Sequence, residues 1–206
     1  MLDAGFFDRD AALVAQELLG KVLCHNVDGL WRKVRLIETE AYYIAEKGSH
    51  ASLGLTESRK ALFMPAGTIY MYYARGGDSF NVSCHGEGNA VLFKSGVATE
   101  DNSPEILAMM QISNPIIDKK TGNVKERPLH RLCSGQTLLC KSMELKVPDW
   151  RTKTFDPNKL YIEDIGYKPV EIITAARLGI PKGRDEHLML RFIDGAYVKS
   201  TTNGNV

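Results

Sequence analysis

Residues 21–42, KVLCHNVDGLWRKVRLIETEAY, predict two paired β-strands. Apolar and polar residues alternate in the first part of this stretch, which is the pattern of a half-buried strand. Asp28 and Gly29 follow, and an Asp-Gly pair between two such runs is typical of a two-residue hairpin turn. The return strand runs to Tyr42 and is long. It carries two glutamates, Glu38 and Glu40, close to the predicted core.

The two glutamates share one face of the return strand. Alternate side chains of an ideal strand point the same way, so Glu38, Glu40 and Tyr42 lie together. The Cα atoms of the two glutamates are then roughly 6.5 Å apart. This spacing would also suit a glycosidase that uses two carboxylates.

The rest of the chain predicts an α+β fold, a single compact domain over residues 1–206 with a curved, mainly antiparallel β-sheet flanked by helices. Helices are predicted at 11–19, with Asp8 or Asp10 as cap, and at 57–63, 104–111 and 135–145. Further strands are predicted at 68–74, 80–84, 89–95, 161–165, 170–180 and 188–194. Residues 113–131 are polar and rich in helix breakers, and we expect a long surface loop there.

Composition limits the class of protein. The chain has 206 residues, 44% hydrophobic and 25% charged, which is the balance of an ordinary globular domain. No apolar run reaches 18 residues and the N-terminus lacks the features of a signal peptide, so we expect no membrane association and a cytoplasmic location. The net charge of +1 neither requires nor excludes binding to nucleic acid.

The four cysteines follow no zinc-ligand spacing, even with His85 added, so no metal site is predicted.

Acids, aromatic rings and an imidazole occur close together around residues 38–50. Such a set suggests a pocket for a flat, hydrogen-bonding ligand. A carboxylate among apolar and aromatic groups tends to have a raised pKa, which suits it to act as a general base on water. Each residue alone is more often structural, and the prediction depends on their combination.

A series of motifs carries a family resemblance. In order they are ETEAY (38–42), SH (49–50), PAGTIYMY (65–72), NVS (81–83), GEGNAVL (86–92), LCSG (132–135), LC (139–140), ARLGI (176–180) and LRF (190–192). Together they resemble the alkyladenine (3-methyladenine) DNA glycosylase family over nearly the whole chain. The resemblance implies an enzyme of base excision repair, a monofunctional DNA-3-methyladenine glycosylase. It would hydrolyse the N-glycosidic bond of damaged purines in double-stranded DNA without a cofactor.

The same resemblance assigns roles to residues of the pocket. Glu40 matches the carboxylate that activates water. Tyr42 and Tyr72 match the rings that sandwich the flipped base, and His50 matches an imidazole that contacts it. Asn81 matches an amide that excludes guanine through its exocyclic amine. The family motif gives the chemistry to Glu40 alone, so we interpret Glu38 as a structural or orienting group.

Two positions depart from the family pattern. No tyrosine stands where the family inserts one into the gap left by the flipped nucleotide, and Arg75 and Tyr73 are the candidates for this wedge. Lys94 stands where the family has an arginine near the catalytic water and the target phosphate. Lysine keeps the charge but loses the bidentate fork.

Further contacts and alternatives stay open at this level. Arg59, Lys60, Lys182 and Arg184 flank the predicted DNA-facing loops and are candidate phosphate contacts. We expect a monomer, associated with the nucleoid if the source is bacterial.

The sequence leaves three alternative functions open. One alternative is a non-catalytic lesion-binding protein of the same fold. Another is a lyase in which Lys94 attacks the sugar, and a third is a carbohydrate-active enzyme that uses both glutamates.

Overall fold

The computed structural model describes residues 1–74 and 76–206. The helices are α1 (Ala4–Phe7), α2 (Ala11–Glu17), α3 (Pro104–Ser113), α4 (Gln136–Met143) and α5 (Val147–Trp150). The strands are β1 (Val22–Val27), β2 (Leu30–Tyr42), β3 (Ile69–Ala74), β4 (Gly77–Ser83), β5 (Ala90–Ala98), β6 (Ile116–Ile117), β7 (Val124–Lys125), β8 (Leu160–Glu163), β9 (Ile172–Ala175) and β10 (Arg191–Asp194). Short 3-10 helices occupy His50–Leu53, Lys60–Phe63, Leu129–Arg131 and Gly195–Ser200.

The predicted hairpin forms the middle of the sheet. Asp28 and Gly29 both have positive φ, at 52° and 87°, as a two-residue turn of this kind requires. β1 pairs with the first half of β2, and β10 takes the same edge of β2 further along, at residues 38–40. β5 covers the opposite edge of β2. The second half of β2 is therefore enclosed by a strand on each side.

The eight-stranded sheet has the order β3-β4-β5-β2-β1-β8, with β10 on β2 and β9 on β10, and its pairings are antiparallel. Helix α2 packs on β2 and β5, and the Thr39 hydroxyl donates to the carbonyl of Ala15 in this helix. Since neighbouring residues of a strand face opposite ways, Glu40 points away from α2. Helix α4 packs on β4 and β5. The α+β class with a mainly antiparallel sheet is confirmed.

Helix starts follow the predicted capping chemistry. Asp10 caps α2 by accepting from the N–H groups of Ala12 and Leu13, and Ser103 caps α3 by accepting from Ile106. Of the two candidate caps for α2, Asp10 is thus the one used.

Several predicted bounds are wrong. Residues 57–63 hold only a 3-10 turn, and the strand predicted over 170–180 is confined to Ile172–Ala175. The predicted loop at 113–131 is mostly exposed but contains the β6–β7 hairpin and a 3-10 turn. Its tip is built on Asp118, whose carboxylate accepts from the N–H groups of Lys120 and Thr121, a local bond that sequence periodicity does not reveal. Among the described residues, no helix is both long and apolar enough to cross a bilayer.

Candidate active site

Two β-bulges place neighbouring β5 side chains beside the two glutamates of β2. The register shifts between Leu36 and Glu38 and again between Glu38 and Thr39. Ser95 therefore pairs with Glu38, whereas Lys94 has no partner in the ladder. In a regular strand Lys94 and Ser95 would face opposite ways, but here both reach carboxylates on β2.

Glu40 is fully buried and held by three donors. The Tyr42 hydroxyl donates to Oε2 at 2.7 Å, and the backbone N–H of Leu178 donates to Oε1 at 3.3 Å. The Nζ of Lys94 lies 3.2 Å from Oε1. A carboxylate offers about four lone-pair sites, so this arrangement fixes its orientation and leaves about one site for a further donor.

A cavity of about 880 Å³ opens in front of this carboxylate. Tyr42, Lys94 and Leu178 line it, and Glu40 lies directly behind them. Side chains with rings or a ring-sized apolar face form one wall, and the start of α4 forms another; the lining includes His50, Leu62, Tyr70, Tyr72, Asn81, Gly135, Gln136, Thr137, Gly179, Pro181 and Thr202. The volume is within the range of sites for small ligands, roughly 300–1,000 Å³.

Arg177 holds the ring of Tyr42 in place by stacking against it. The Cζ atom of Arg177 lies 4.4 Å from the centre of the Tyr42 ring, and its Nη1 donates to the carbonyl of Ala41 at 2.8 Å. Its Nη2 forms a 2.5 Å ion pair with Glu46. Burial, and then the charge of Glu40, raise the pKa of Tyr42 well above its usual value. The phenol therefore keeps its proton and acts as a donor to Glu40.

The wall of rings includes His50, Tyr70 and Tyr72, which contact one another. The centres of His50 and Tyr72 are 4.4 Å apart at 66°, and Tyr70 and Tyr72 are stacked at 5.5 Å. The Nδ1 atom of His50 lies 3.0 Å from the Tyr70 hydroxyl. Burial lowers the pKa of His50, and Arg59 and Arg184 lower it further, so the ring is neutral at pH 7.

Asn81 is buried on β4, next to this wall. Its Nδ2 donates to the carbonyl of Tyr70 at 3.2 Å, which orients the amide. Tyr42, His50, Tyr72, Asn81 and Lys94 thus line one cavity, and Glu40 contacts two of them, Tyr42 and Lys94, without lining it.

Glu38 has different neighbours. Its Oε1 accepts from Arg191 Nε at 2.6 Å, and its Oε2 accepts from the Ser95 hydroxyl and from the N–H and hydroxyl of Thr202 at 3.0 and 2.8 Å. Glu38 and Arg191 are both buried. These contacts tie the C-terminal segment to the sheet, in agreement with a structural interpretation of Glu38.

The predicted phosphate contacts are not equivalent in position. Arg184 lines the cavity, with its Nε donating to the carbonyl of Lys47 at 2.8 Å. Arg59 donates to the carbonyls of Gly54 and Leu53. Lys60 pairs with Glu57 at 2.6 Å, and Lys182 is exposed next to the cavity residue Pro181.

Arg75 and Tyr73 are the two candidates for the residue that fills the gap left by the flipped nucleotide. Arg75 lies outside the described residues. Tyr73 is 70% exposed and lies between Tyr72 and Ala74, which both line the cavity. Strand alternation therefore directs the Tyr73 side chain to the other face of β3.

Sequence reasoning missed several residues that support the site. Arg177 fixes Tyr42, Arg191 and Thr202 hold Glu38, and Gln136 contacts Lys94 at 3.2 Å. Arg177 and Arg191 stand in the ARLGI and LRF motifs, so an arginine inside a motif was the available signal. Thr202 and Gln136 gave none.

The cysteines are free and buried, and burial raises the pKa of Cys24, Cys84 and Cys133 to about 12. Such thiols stay protonated at neutral pH. Within residues 1–74 and 76–206 no group of three or more His, Cys, Asp or Glu side chains is placed to hold a metal ion.

Comparison with known proteins places the chain in a family. The sequence model of methylpurine-DNA glycosylase (MPG) matches residues 5–197. A protein of Pseudomonas aeruginosa strain UCBPP-PA14 named "Putative 3-methyladenine DNA glycosylase" is 57% identical over 197 residues, covering 96% of this chain and 81% of its own length. Proteins of the same name from Pseudomonas savastanoi pv. phaseolicola and Clostridium acetobutylicum are 58% and 34% identical, covering 96% and 85% of this chain and 87% and 84% of their own lengths. The resemblance seen in the sequence is thus confirmed, and the chain belongs to the methylpurine-DNA glycosylase family of DNA glycosylases.

Proposed function

We propose that this chain excises alkylated or deaminated purines, of the 3-methyladenine, 7-methylguanine and hypoxanthine class, from duplex DNA. A base inside a duplex is out of reach, so the damaged nucleotide is flipped into the cavity. The observation that carries the proposal is the fully buried carboxylate of Glu40 behind a cavity lined with aromatic rings.

The cavity suits a flat and cationic base. Tyr42 would stack on one face of the base, and Tyr72 with His50 on the other. Alkylation at N3 or N7 makes a purine cationic, and stacking on electron-rich rings favours a cation by roughly 0.5–2 kcal/mol. Asn81, with its amide oriented by Tyr70, would clash with the exocyclic amine of normal guanine.

The chemical step uses Glu40 as a general base on water. The carboxylate takes a proton from the water as its oxygen bonds to C1′ of the sugar, and the C1′–N bond breaks with its electron pair going to the base. A cationic base becomes neutral as it leaves, which makes it a good leaving group. Tyr42 and the N–H of Leu178 hold the carboxylate in place for this step.

Cationic side chains around the cavity would hold the DNA backbone. We assign phosphate contacts to Arg59, Lys60, Lys182 and Arg184, and a phosphate or water-positioning role to Lys94. Such contacts position the duplex without reading its sequence. The chain would act as a monomer on one damaged nucleotide.

Measuring the release of free base from damaged DNA tests this proposal. The free base would be measured from duplexes containing 3-methyladenine, 7-methylguanine or hypoxanthine, with the unaltered chain and Glu40→Gln side by side. We expect release by the unaltered chain, no release by Glu40→Gln, and binding of the lesion by both.

Two other results would each change the conclusion. Equal release by both proteins would remove Glu40 from the chemistry. Binding of the lesion without release by either protein would show a lesion-binding protein that has lost catalysis.

A further inference from the structure

We propose that Gln136 is a positioning residue for base release, because it directs the ammonium of Lys94 so that one N–H group meets the attacking water. This inference rests on the proposed function, which gives Lys94 either a phosphate or a water-positioning role. It goes further by choosing the water and by adding Gln136, which lies between the LCSG and LC motifs and carried no sequence signal.

Lys94 contacts both Gln136 and Glu40. Its Nζ donates to Gln136 Oε1 at 3.2 Å and forms an ion pair with Oε1 of the fully buried Glu40, also at 3.2 Å. Lys94 and Gln136 both line the cavity. An ammonium carries three N–H donors and no acceptor, so the amide of Gln136 presents its oxygen to Nζ. At least one N–H group of Lys94 then remains for an oxygen inside the cavity.

The start of α4 holds Gln136 against β5. The backbone N–H of Gly135, the residue before Gln136, donates to Ser95 Oγ at 2.9 Å. Ser95 directly follows Lys94 in β5, and its hydroxyl donates to the buried carboxylate of Glu38. The backbone next to Gln136 is thus tied to the residue next to Lys94, and this bond keeps the amide within reach of the ammonium.

A lysine needs a second contact of this kind more than an arginine does. Arginine presents its N–H groups in a rigid planar fork, whereas lysine carries rotatable donors at the end of a flexible stem. The ion pair with Glu40 attracts the charge of Lys94, but charge attraction depends on distance and does not by itself orient the N–H groups. The hydrogen bond to Gln136 supplies that orientation.

A water suits the remaining N–H group of Lys94 better than a phosphate does. A water can accept from Lys94 and donate to Glu40 at the same time, because it makes two to four hydrogen bonds. A phosphate oxygen there would bring a second negative charge against the buried Glu40 carboxylate, and like charges in one site repel. Gln136 would thus act on the attack of water and not on the binding of DNA.

Gln136→Met removes the acceptor and keeps an unbranched side chain of similar length. Methionine and glutamine have similar helix propensities, so α4 should stay intact. Since the lost hydrogen bond has a charged donor, we expect single-turnover base release to fall by at least about tenfold, with lesion binding unchanged. Gln16→Met is the matched control, because Gln16 is a half-buried glutamine of α2 that does not line the cavity. It should keep the full rate.

The experiment makes Gln136→Met in three forms of the full chain: unaltered, Lys94→Arg and Lys94→Met. Single-turnover release of hypoxanthine, the dissociation constant for the same duplex and the urea unfolding midpoint are measured for each. Arginine orients its own N–H groups and methionine has none, so Gln136→Met should cost less than about twofold in either Lys94 background. A merely structural role of Gln136 would instead lower the rate by the same factor in all three backgrounds and would lower the unfolding midpoint.

Other outcomes separate this inference from the proposed function. Full release by Gln136→Met, or a loss that persists unchanged in the Lys94→Arg background, would overturn the role of Gln136 and leave the glycosylase standing. Weaker lesion binding at an unchanged rate would also overturn it, because Gln136 would then act on DNA binding. No release by the unaltered chain would overturn the glycosylase itself, and the role of Gln136 in base release with it.

Discussion

Glu38 and Glu40 stand two residues apart on β2, yet they belong to different hydrogen-bond networks. Glu40 contacts the cavity residues Tyr42 and Lys94, whereas Glu38 contacts Arg191 and Thr202. The separation arises because the β5 bulge presents Lys94 and Ser95 to different carboxylates. Glu40 thus lies beside the cavity residues, and Glu38 holds the C-terminal segment to the sheet.

Glu38→Gln should destabilise the fold. The amide would place a donor where four donors already converge, and breaking a buried ion pair costs about 3–5 kcal/mol. Urea unfolding would measure the loss. Glu57→Gln, which breaks an exposed pair with Lys60, should leave the unfolding midpoint unchanged. A Glu38→Gln protein as stable as the unaltered chain would contradict the structural role.

Tyr42→Phe should slow base release while keeping lesion binding. The ring and its contact with Arg177 remain, but Glu40 loses the 2.7 Å hydrogen bond to Oε2. A hydrogen bond to a charged group contributes about 1.5–3 kcal/mol, so single-turnover release should fall by about ten- to a hundredfold. Tyr43→Phe, which removes a hydroxyl bonded to Asp10, is the control and should keep the full rate. An undiminished rate in Tyr42→Phe would show that this bond does not prepare Glu40.

Substitution of Tyr73 and of Arg75 tests which of the two side chains fills the gap left by the flipped nucleotide. Tyr73 lies on the face of β3 opposite to Tyr72, so Tyr73→Ala should release bases at the rate of the unaltered chain. If Arg75 fills the gap in the stack, Arg75→Ala should lose rate on a paired lesion and less on an unpaired one, because an unpaired base costs less to flip. Rates on duplexes with hypoxanthine opposite thymine or opposite an abasic site give the comparison. A pairing-dependent loss in Tyr73→Ala would assign the wedge to Tyr73.

Sequence predicted the parts of the fold that depend on local chemistry. The Asp28-Gly29 turn and the Asp10 and Ser103 caps each follow from residues within four positions of one another. The motifs also pointed to Tyr42, His50, Tyr72 and Asn81, which line one cavity, and to Glu40, which accepts a hydrogen bond from Tyr42.

The features that the sequence did not predict depend on contacts between residues that are far apart along the chain. Arg177 reaches Ala41 across 136 positions, and Thr202 reaches Glu38 across 164. No periodicity reports such pairings, and strand alternation does not foresee a bulge that directs Lys94 and Ser95 to the same side. The separate partners of Glu38 and Glu40 could therefore be found only in the folded chain.

His25 should make stability depend on pH. It is buried, and its Nδ1 lies 2.6 Å from the carbonyl of Met143, so this nitrogen carries the proton of a neutral ring. Burial lowers its pKa in the folded state, so the unfolded chain binds a proton first as pH falls below about 6.5. The contribution of His25 to the free energy of unfolding is therefore present above that pH and is lost as pH falls through the lowered folded-state pKa.

His25→Gln isolates this effect, because glutamine can donate to the Met143 carbonyl but does not titrate. Urea unfolding at pH 8, 6 and 5 should show a greater loss of stability in the unaltered chain than in the variant, since other titrating groups contribute equally to both. Parallel losses in the two proteins would mean that His25 accepts its proton in the folded state as readily as in the unfolded chain. His25 would then carry a positive charge in its buried position while its Nδ1 keeps the contact with Met143. Burial disfavours the charged form of the ring, so we do not expect this result.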